Sequence, residues 1–217
     1  MVLGKKVAFI YLNTNDYEPS FASIPQTVSN DIELSYHFFN DTNFPLRFNA
    51  MTPRLQVNLA KMFTWQLVPW HDIYIWVDSA YAMHRDDSVM WLLEQLGSHD
   101  IVLFKHPDRT TVKEEADFLR DRLPTSKRLM KRYKDEWLDE LMIAIPTDGI
   151  LYASGIFAYR NSLKIQDAFK EWWYYTTRYH LNNQLSLSHA FRNCDVGMID
   201  DDYFHCKYFT SIRTRHD

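Results

Sequence analysis

Short apolar runs alternate with amphipathic stretches along this chain. Lys5–Leu12 turns apolar after two lysines and reads as a buried strand leading into a polar loop, Asn13–Glu18. Ser29–Phe39 mixes polar and apolar positions and reads as a second strand. Thr52-Pro53-Arg54 opens a helix, with Thr as N-cap and Pro at the first helical position. Its apolar positions Leu55, Leu59, Met62, Phe63 and Leu67 carry it to Pro69. Asp72–Asp78 is the clearest strand, an apolar run closed by a carboxylate. Asp86-Asp87 is expected to cap a helix that stops at Gly97. Ile101–Phe104 is another short strand. Charged helices follow over Thr110–Leu123 and Ser126–Met142, separated by Pro124. Leu151–Tyr159 reads as a strand, Ser162–Tyr179 and Asn183–Phe191 as helices, and Tyr203–Phe209 as a last strand.

Strands alternating with helices predict an α/β fold, with a mostly parallel central sheet flanked by helices in one domain over residues 1–217. The size suits a single domain with a full core. A net charge of -4 gives no reason to expect a nucleic-acid partner. Only Cys194 and Cys206 are present, so no disulfide framework can be read and a reducing compartment is expected. Val7–Leu12 is too short for a signal-peptide core or a membrane span. The chain is therefore read either as a cytoplasmic protein or as the N-terminal part of a longer one.

Glycine is scarce, at 5 residues, and neither Gly-x-Gly-x-x-Gly nor the Gly-rich phosphate loop ending in Lys-Ser/Thr occurs. A bound nucleotide would need its phosphates met by a metal, by basic side chains, or by both. Asp78 ends a strand, where ligands gather in open α/β sheets. With Ser79 beside it, it can offer oxygen to a divalent cation, or it can simply cap the next turn. Arg54 and Lys61 lie seven residues apart on one helix face. They can contact a base and a diphosphate, or form a solvated face. Lys105, His106 and Arg109 follow a strand directly, so they fall at the same sheet edge. Ser154-Gly155 inside a strand marks either a close approach of a ligand or backbone, or a bulge. Trp172-Trp173-Tyr174-Tyr175 is read mainly as core, with sugar stacking as the other use of such rings.

In this order, these pieces resemble a glycosyltransferase of the GT-A fold, a Rossmann-like architecture. The match runs from Lys5 to about Asn193. It rests on Tyr11-Leu-Asn-Thr14, the helix with Arg54 and Lys61, and Trp76-Val-Asp78. It continues through Lys105-His106-Pro107 with Arg109 and Glu115, Ser154-Gly155-Ile-Phe-Ala-Tyr-Arg160, and Asn183-Gln184-Leu-Ser-Leu-Ser. The sequence is similar to glycosyltransferase domains encoded by large algal viruses, which would put it in the host cytoplasm.

The resemblance implies a nucleotide-sugar donor, with UDP the expected nucleotide, and a glycan or glycoprotein hydroxyl as acceptor. Tyr11, Leu12, Asn13 and Thr14 would hold base and ribose. Arg54, Lys61, Asp78, Ser79 and Ala80 would face the diphosphate. His106, Arg109, Ser154, Gly155 and Gln184 would surround the sugars. The Asp-x-Asp motif of such enzymes binds Mn2+ or Mg2+, and here Ala80 stands where the second Asp would be. His205, with His216 behind it, is the expected replacement ligand. An inverting reaction would use Asp148 as base, and a retaining one would use Gln184 under the reactive carbon. Retention is favoured. A non-catalytic sugar- or nucleotide-binding module is the alternative. The Gly-free first loop argues against a nucleotidyltransferase, and a second catalytic Asp is lacking for a phosphatase.

Overall fold

The computed structural model of the protein describes residues 4–13, 25–44, 52–124, 135–179 and 182–212. The expected α/β architecture is present. A six-stranded sheet has the order β2-β1-β3-β6-β5-β7, formed by β1 (Lys5–Leu12), β2 (Ile32–Phe39), β3 (Ile73–Asp78), β5 (Ile101–Lys105), β6 (Tyr152–Arg160) and β7 (Val196–Ile199). The sheet is mixed but mostly parallel: β6 alone runs against its neighbours, antiparallel to both β3 and β5. The carboxyl ends of β1, β3 and β5 therefore share one edge, and the first half of β6 returns into it. A small second sheet pairs β4 (Tyr81–Met83) with β8 (Phe209–Ser211).

The continuous apolar character of β1 and β3 follows from cover on both faces. Phe9, Ile75 and Val77 pack toward α3 (Ser88–Leu96) and the small sheet, with Val89, Leu92, Tyr203 and Phe209. Ile10, Tyr74 and Trp76 pack on the other face with residues of α1 (Pro53–Met62), α6 (Leu163–Tyr179) and α7 (Gln184–Ala190). A third cluster joins α4 (Val112–Arg122), α5 (Asp135–Ala144) and the start of α7 through Ala116, Leu138 and Leu185.

Several expectations change. The helix expected from Thr52 to Leu67 is broken: α1 ends at Met62, and α2 covers Thr64–Leu67. Phe63 leaves the helical region at φ -120°, and the Thr64 hydroxyl donates to Ala60 O at 2.6 Å, an interaction that bends helices. Thr52 does cap α1, accepting from Leu55 N. Asp87 precedes α3 but its carboxylate does not cap it, because Arg85 holds that group at 2.7 Å. Gly97 ends α3 as expected, at φ 44°. The last strand is not Tyr203–Phe209. Tyr203 turns inward to the sheet edge, His205 makes a single bridge to Thr210, and the strand itself is Phe209–Ser211. The strands β4 and β7 lack an expected counterpart: β4 has 3 residues, and β7 has 4, one of them Gly197. Residues 125–134 of the expected second charged helix lie outside the described residues, and α5 forms its remainder.

The aromatic run on α6 is largely packing. Trp172 is buried and donates its indole N–H to Asn183 O at 2.6 Å. Trp173 meets Phe63 edge-on, and Tyr175 stacks on Tyr179. Only Tyr174 is exposed. No helix among the described residues is long and apolar enough to cross a membrane.

Candidate functional site

The site is built at the shared carboxyl edge. Strand β3 delivers Asp78 there, in register with Leu12 at the end of β1. Helix α1 passes beneath it on the face of the sheet that carries Trp76. The 3.6-residue period puts Arg54, Asn58 and Lys61 on one side of α1. Lys61 is buried, and its Nζ lies 2.7 Å from Asp78 Oδ1. The same Oδ1 accepts from the Trp76 indole at 2.6 Å. Lys61 also donates to Ser154 O, on β6, at 3.0 Å. One buried ammonium thus binds the end of β3 to the middle of β6.

Gly155 explains how the strands come so near. A Cβ there would lie 2.3 Å from the Tyr203 hydroxyl, 2.9 Å from the Tyr81 ring and 3.2 Å from Asp78 Oδ2. The Gly155 amide donates to the Tyr203 hydroxyl at 2.9 Å. Ser154-Gly155 is also where the pairing with β5 slips: Leu103 pairs with Phe157 and Phe104 with Ala153, so the bulge reading is realised, and the side chains of Tyr203, Tyr81 and Asp78 close on Gly155 there.

The contacts continue toward α7. Ser154 Oγ donates to Asn183 Oδ1 at 3.4 Å, and Asn183 Nδ2 donates to Asn58 Oδ1 at 3.0 Å. Next to it, Asn182 Nδ2 donates to Glu115 Oε1 at 2.9 Å and to Gln184 Oε1 at 3.0 Å. Glu115 Oε2 accepts from Arg109 Nε, and the Arg109 guanidinium also lies over the Phe118 ring. Glu115 can be there because Thr111 starts α4 with a capping box, which sets the helix phase and buries Glu115 while Glu114 serves the cap. His106 closes the chain: its Nδ1 accepts from the backbone N–H groups of Asp108 and Arg109, both at 3.3 Å.

Two ionisable groups of this hydrogen-bonded network, His106 and Glu115, are shifted. Burial, then the nearby Arg109, lowers His106 to about 4. It is neutral at pH 7, and since Nδ1 is an acceptor, Nε2 carries the proton. Burial raises the Glu115 carboxyl, while Arg109 and Asn182 pull it down.

Asp78, Lys61 and Ser154, with Gly155 beside them, form one polar group, and Gln184, Arg109 and His106 belong to a second; the adjacent residues Asn183 and Asn182 join the two into one network along the backbone. Tyr11 and Ser79 adjoin it, with the Tyr11 hydroxyl 3.4 Å from Ser79 O. Ala80 is buried, and its carbonyl accepts from Ile212 N at 2.8 Å. Asn13 follows β1 and donates to Phe39 O at 2.9 Å. Arg54 is half-buried, two helical turns before Lys61. Asp148 stands apart: it is exposed in the loop that pairs with the start of α4, through Thr147 O and Gly149 O. His205 is exposed, its backbone bridged to Thr210. Thr14 and His216 lie outside the described residues.

The network also holds Asn58 and Tyr203, to which the sequence reading gave no role, and Asn182 and Asn183, which it read only as amides opening the helix of Gln184. Asn58 was within reach of that reading, since it shares the helix face of Arg54 and Lys61. A phenol reaching Gly155 from 48 positions away leaves no local trace.

Could this edge take a divalent cation? With Oδ1 held by two donors, Asp78 Oδ2 is the oxygen left, and the missing side chain of Gly155 lets it sit close to that backbone beside the Tyr203 hydroxyl and the Tyr81 ring. No group of three His, Cys, Asp or Glu side chains suited to a metal occurs among the described residues. An ion of the Mg2+ or Mn2+ type takes one or two carboxylates and completes its shell with substrate phosphates and water, and it would have this one carboxylate oxygen from the protein. The donor set does not fit an all-protein cage.

Comparison with the sequence patterns of known protein families gave no match, and comparison with curated protein sequences gave none.

Proposed function

We propose that the protein is a glycosyltransferase of the GT-A type, moving a sugar from a nucleotide-sugar donor to a hydroxyl of a glycan or glycoprotein. UDP is the nucleotide of this reading. The observation that carries it is the convergence at one sheet edge of two polar groups, Asp78 and Lys61 with Ser154 and Asn183, and Asn182 with Gln184, Glu115, Arg109 and His106, joined where Asn182 precedes Asn183 in the chain. A carboxylate and an ammonium stand at one end, as a diphosphate and its cation require. Amides, a neutral imidazole and a guanidinium stand at the other, as sugar hydroxyls require.

In this reading Asp78 would hold Mn2+ or Mg2+, with one carboxylate oxygen already fixed by Lys61 and Trp76. When bound, such a cation acts as a Lewis acid on the departing diphosphate. Lys61 fixes the Asp78 carboxylate and adds positive charge where negative charge builds, an electrostatic contribution that needs no reorganisation. Tyr11 and Asn13 border the nucleoside end. The Gln184 carboxamide, oriented by Asn182, lies under the reactive carbon and favours retention. His106 donates through Nε2–H to a sugar oxygen.

A screen of nucleotide sugars for hydrolysis, with and without Mn2+, tests this on the wild type and on Asp78→Ala. Hydrolysis that needs both the metal and Asp78 is expected. Equal activity in the two proteins removes the assignment of Asp78.

The second reading, a binding module without turnover, draws on Ala80, which leaves the edge one carboxylate short of the usual pair. UDP titrated with and without Mn2+ separates the two. Metal-independent binding with no donor hydrolysis selects the module.

A further inference from the structure

The Arg109 guanidinium stands at the sugar end of the network, where it would be the natural partner of an acidic sugar. The surrounding charges argue otherwise. Its Nε is committed to Glu115, whose side chain is only 4% exposed. A second carboxylate, Asp108, stands 4.0 Å from its terminal nitrogen. The cations of the flanking segments are engaged as well: Lys105 pairs with Asp200 at 3.4 Å and Lys113 with Asp117 at 2.5 Å. Glu114 adds a further carboxylate, committed to the backbone and hydroxyl of Thr110.

His106 is neutral at pH 7 and adds hydrogen bonding without charge. Asn182 and Gln184 are amides. The corner between the loop after β5 and the start of α7 therefore carries no surplus positive charge. It is rich in fixed neutral donors and acceptors, the equipment for hydroxyls.

We infer that the sugar taken at the His106–Arg109–Gln184 corner is an uncharged one, with uronic and other acidic sugars rejected, and that Glu115 enforces this by neutralising Arg109. This rests on the glycosyltransferase reading and names its substrate class. An acidic sugar would bring a further carboxylate beside a buried carboxylate, with the intervening cation already shared. Rejecting a ligand through an uncompensated like charge is an effective means of selectivity. Glu115 acts through Arg109 and is a positioning residue, so its signature is a changed preference between sugars.

The experiment compares UDP-glucose with UDP-glucuronate, two donors that differ at C6 by a hydroxymethyl against a carboxylate. Binding and hydrolysis are measured for the wild type and for Glu115→Gln, with UDP alone as the control for the nucleotide end. The wild type is expected to prefer UDP-glucose by at least about tenfold in kcat/KM, the scale of one uncompensated charge. Glu115→Gln frees the Arg109 charge and should narrow or invert that ratio, while UDP binds as before. Equal or better use of UDP-glucuronate by the wild type overturns the inference and leaves the transferase reading standing. An unchanged ratio in a folded Glu115→Gln protein overturns the role of Glu115. Failure of the wild type to bind UDP or either donor overturns the glycosyltransferase reading itself, and this inference with it. If Glu115→Gln does not fold, the wild-type ratio still decides the substrate class.

Discussion

Lys61 Nζ lies 2.7 Å from Asp78 Oδ1, and the ammonium is almost wholly buried while the carboxylate keeps 25% of its side chain exposed. The pair joins α1 to the end of β3, and the Lys61 bond to Ser154 O extends it to β6. Removing the ammonium leaves a half-buried carboxylate with only the Trp76 indole. Lys61→Met should cost about 1–3 kcal/mol, the penalty for stranding a buried polar partner. Adding Asp78→Asn in the same chain should recover part of that loss, because the stranded charge is gone. Urea unfolding of the two single variants and the double variant measures the coupling. Strictly additive losses would show that the ion pair carries no coupling.

Gly155 permits the convergence of β3, β6 and the Tyr203 segment. In Gly155→Ala the new methyl would stand 2.3 Å from the Tyr203 hydroxyl. The expected cost is about 1–3 kcal/mol of overpacking strain, with loss of donor hydrolysis as Asp78 Oδ2 is crowded. Tyr203→Phe alone loses the hydrogen bond from the Gly155 amide. Combined with Gly155→Ala, however, it removes the clashing oxygen. The double variant should therefore be more stable than Gly155→Ala, a reversal that thermal melting would show.

What the sequence revealed and what it hid follow from how local each cause is. Asp78 was legible because a doubly covered strand makes an unbroken apolar run, and a charge at its end stands out. Lys61 was legible because the helical period ties it to Arg54. The break after Met62 was not: Phe63 and Thr64 are ordinary helical residues, and only the Thr64 back-bond and the tertiary packing end the helix there. The Asp87 cap failed because Arg85, two residues away, competes for the same carboxylate. Glu115 was noted only through the resemblance, since its partner Asn182 is 67 positions distant.

His106 makes the fold pH-sensitive. Its pKa of about 4 lies below the ordinary value of 6.5, so between these limits the unfolded chain binds a proton that the folded chain excludes. The sign follows: this contribution to stability is fully present above about pH 6.5 and is lost as pH falls toward 4. One such group adds a slope of up to ~1.4 kcal/mol per pH unit. His106→Asn keeps an acceptor for the Asp108 and Arg109 amides but cannot titrate. Its stability should fall less steeply over that range than the wild type's. Some slope should remain, because burial also lowers His37 and His189. Parallel curves for the two proteins would rule out the assignment.

Asp148 and Gln184 separate the two stereochemical courses. Asp148 is exposed in the loop before β6, whereas Gln184 is hydrogen-bonded to Asn182 within the network. A base for an inverting attack must reach the acceptor hydroxyl, and a residue outside the network is poorly placed for that. Asp148→Asn should leave sugar transfer within about twofold of the wild type, as surface substitutions usually do. Gln184→Ala should lower kcat by about 10–100-fold, the value of one well-placed hydrogen bond of ~1–3 kcal/mol. The anomeric configuration of the product, read by NMR, should match that of the donor. Loss of transfer in Asp148→Asn with donor binding intact, together with an inverted product, would transfer the catalytic role from Gln184 to Asp148.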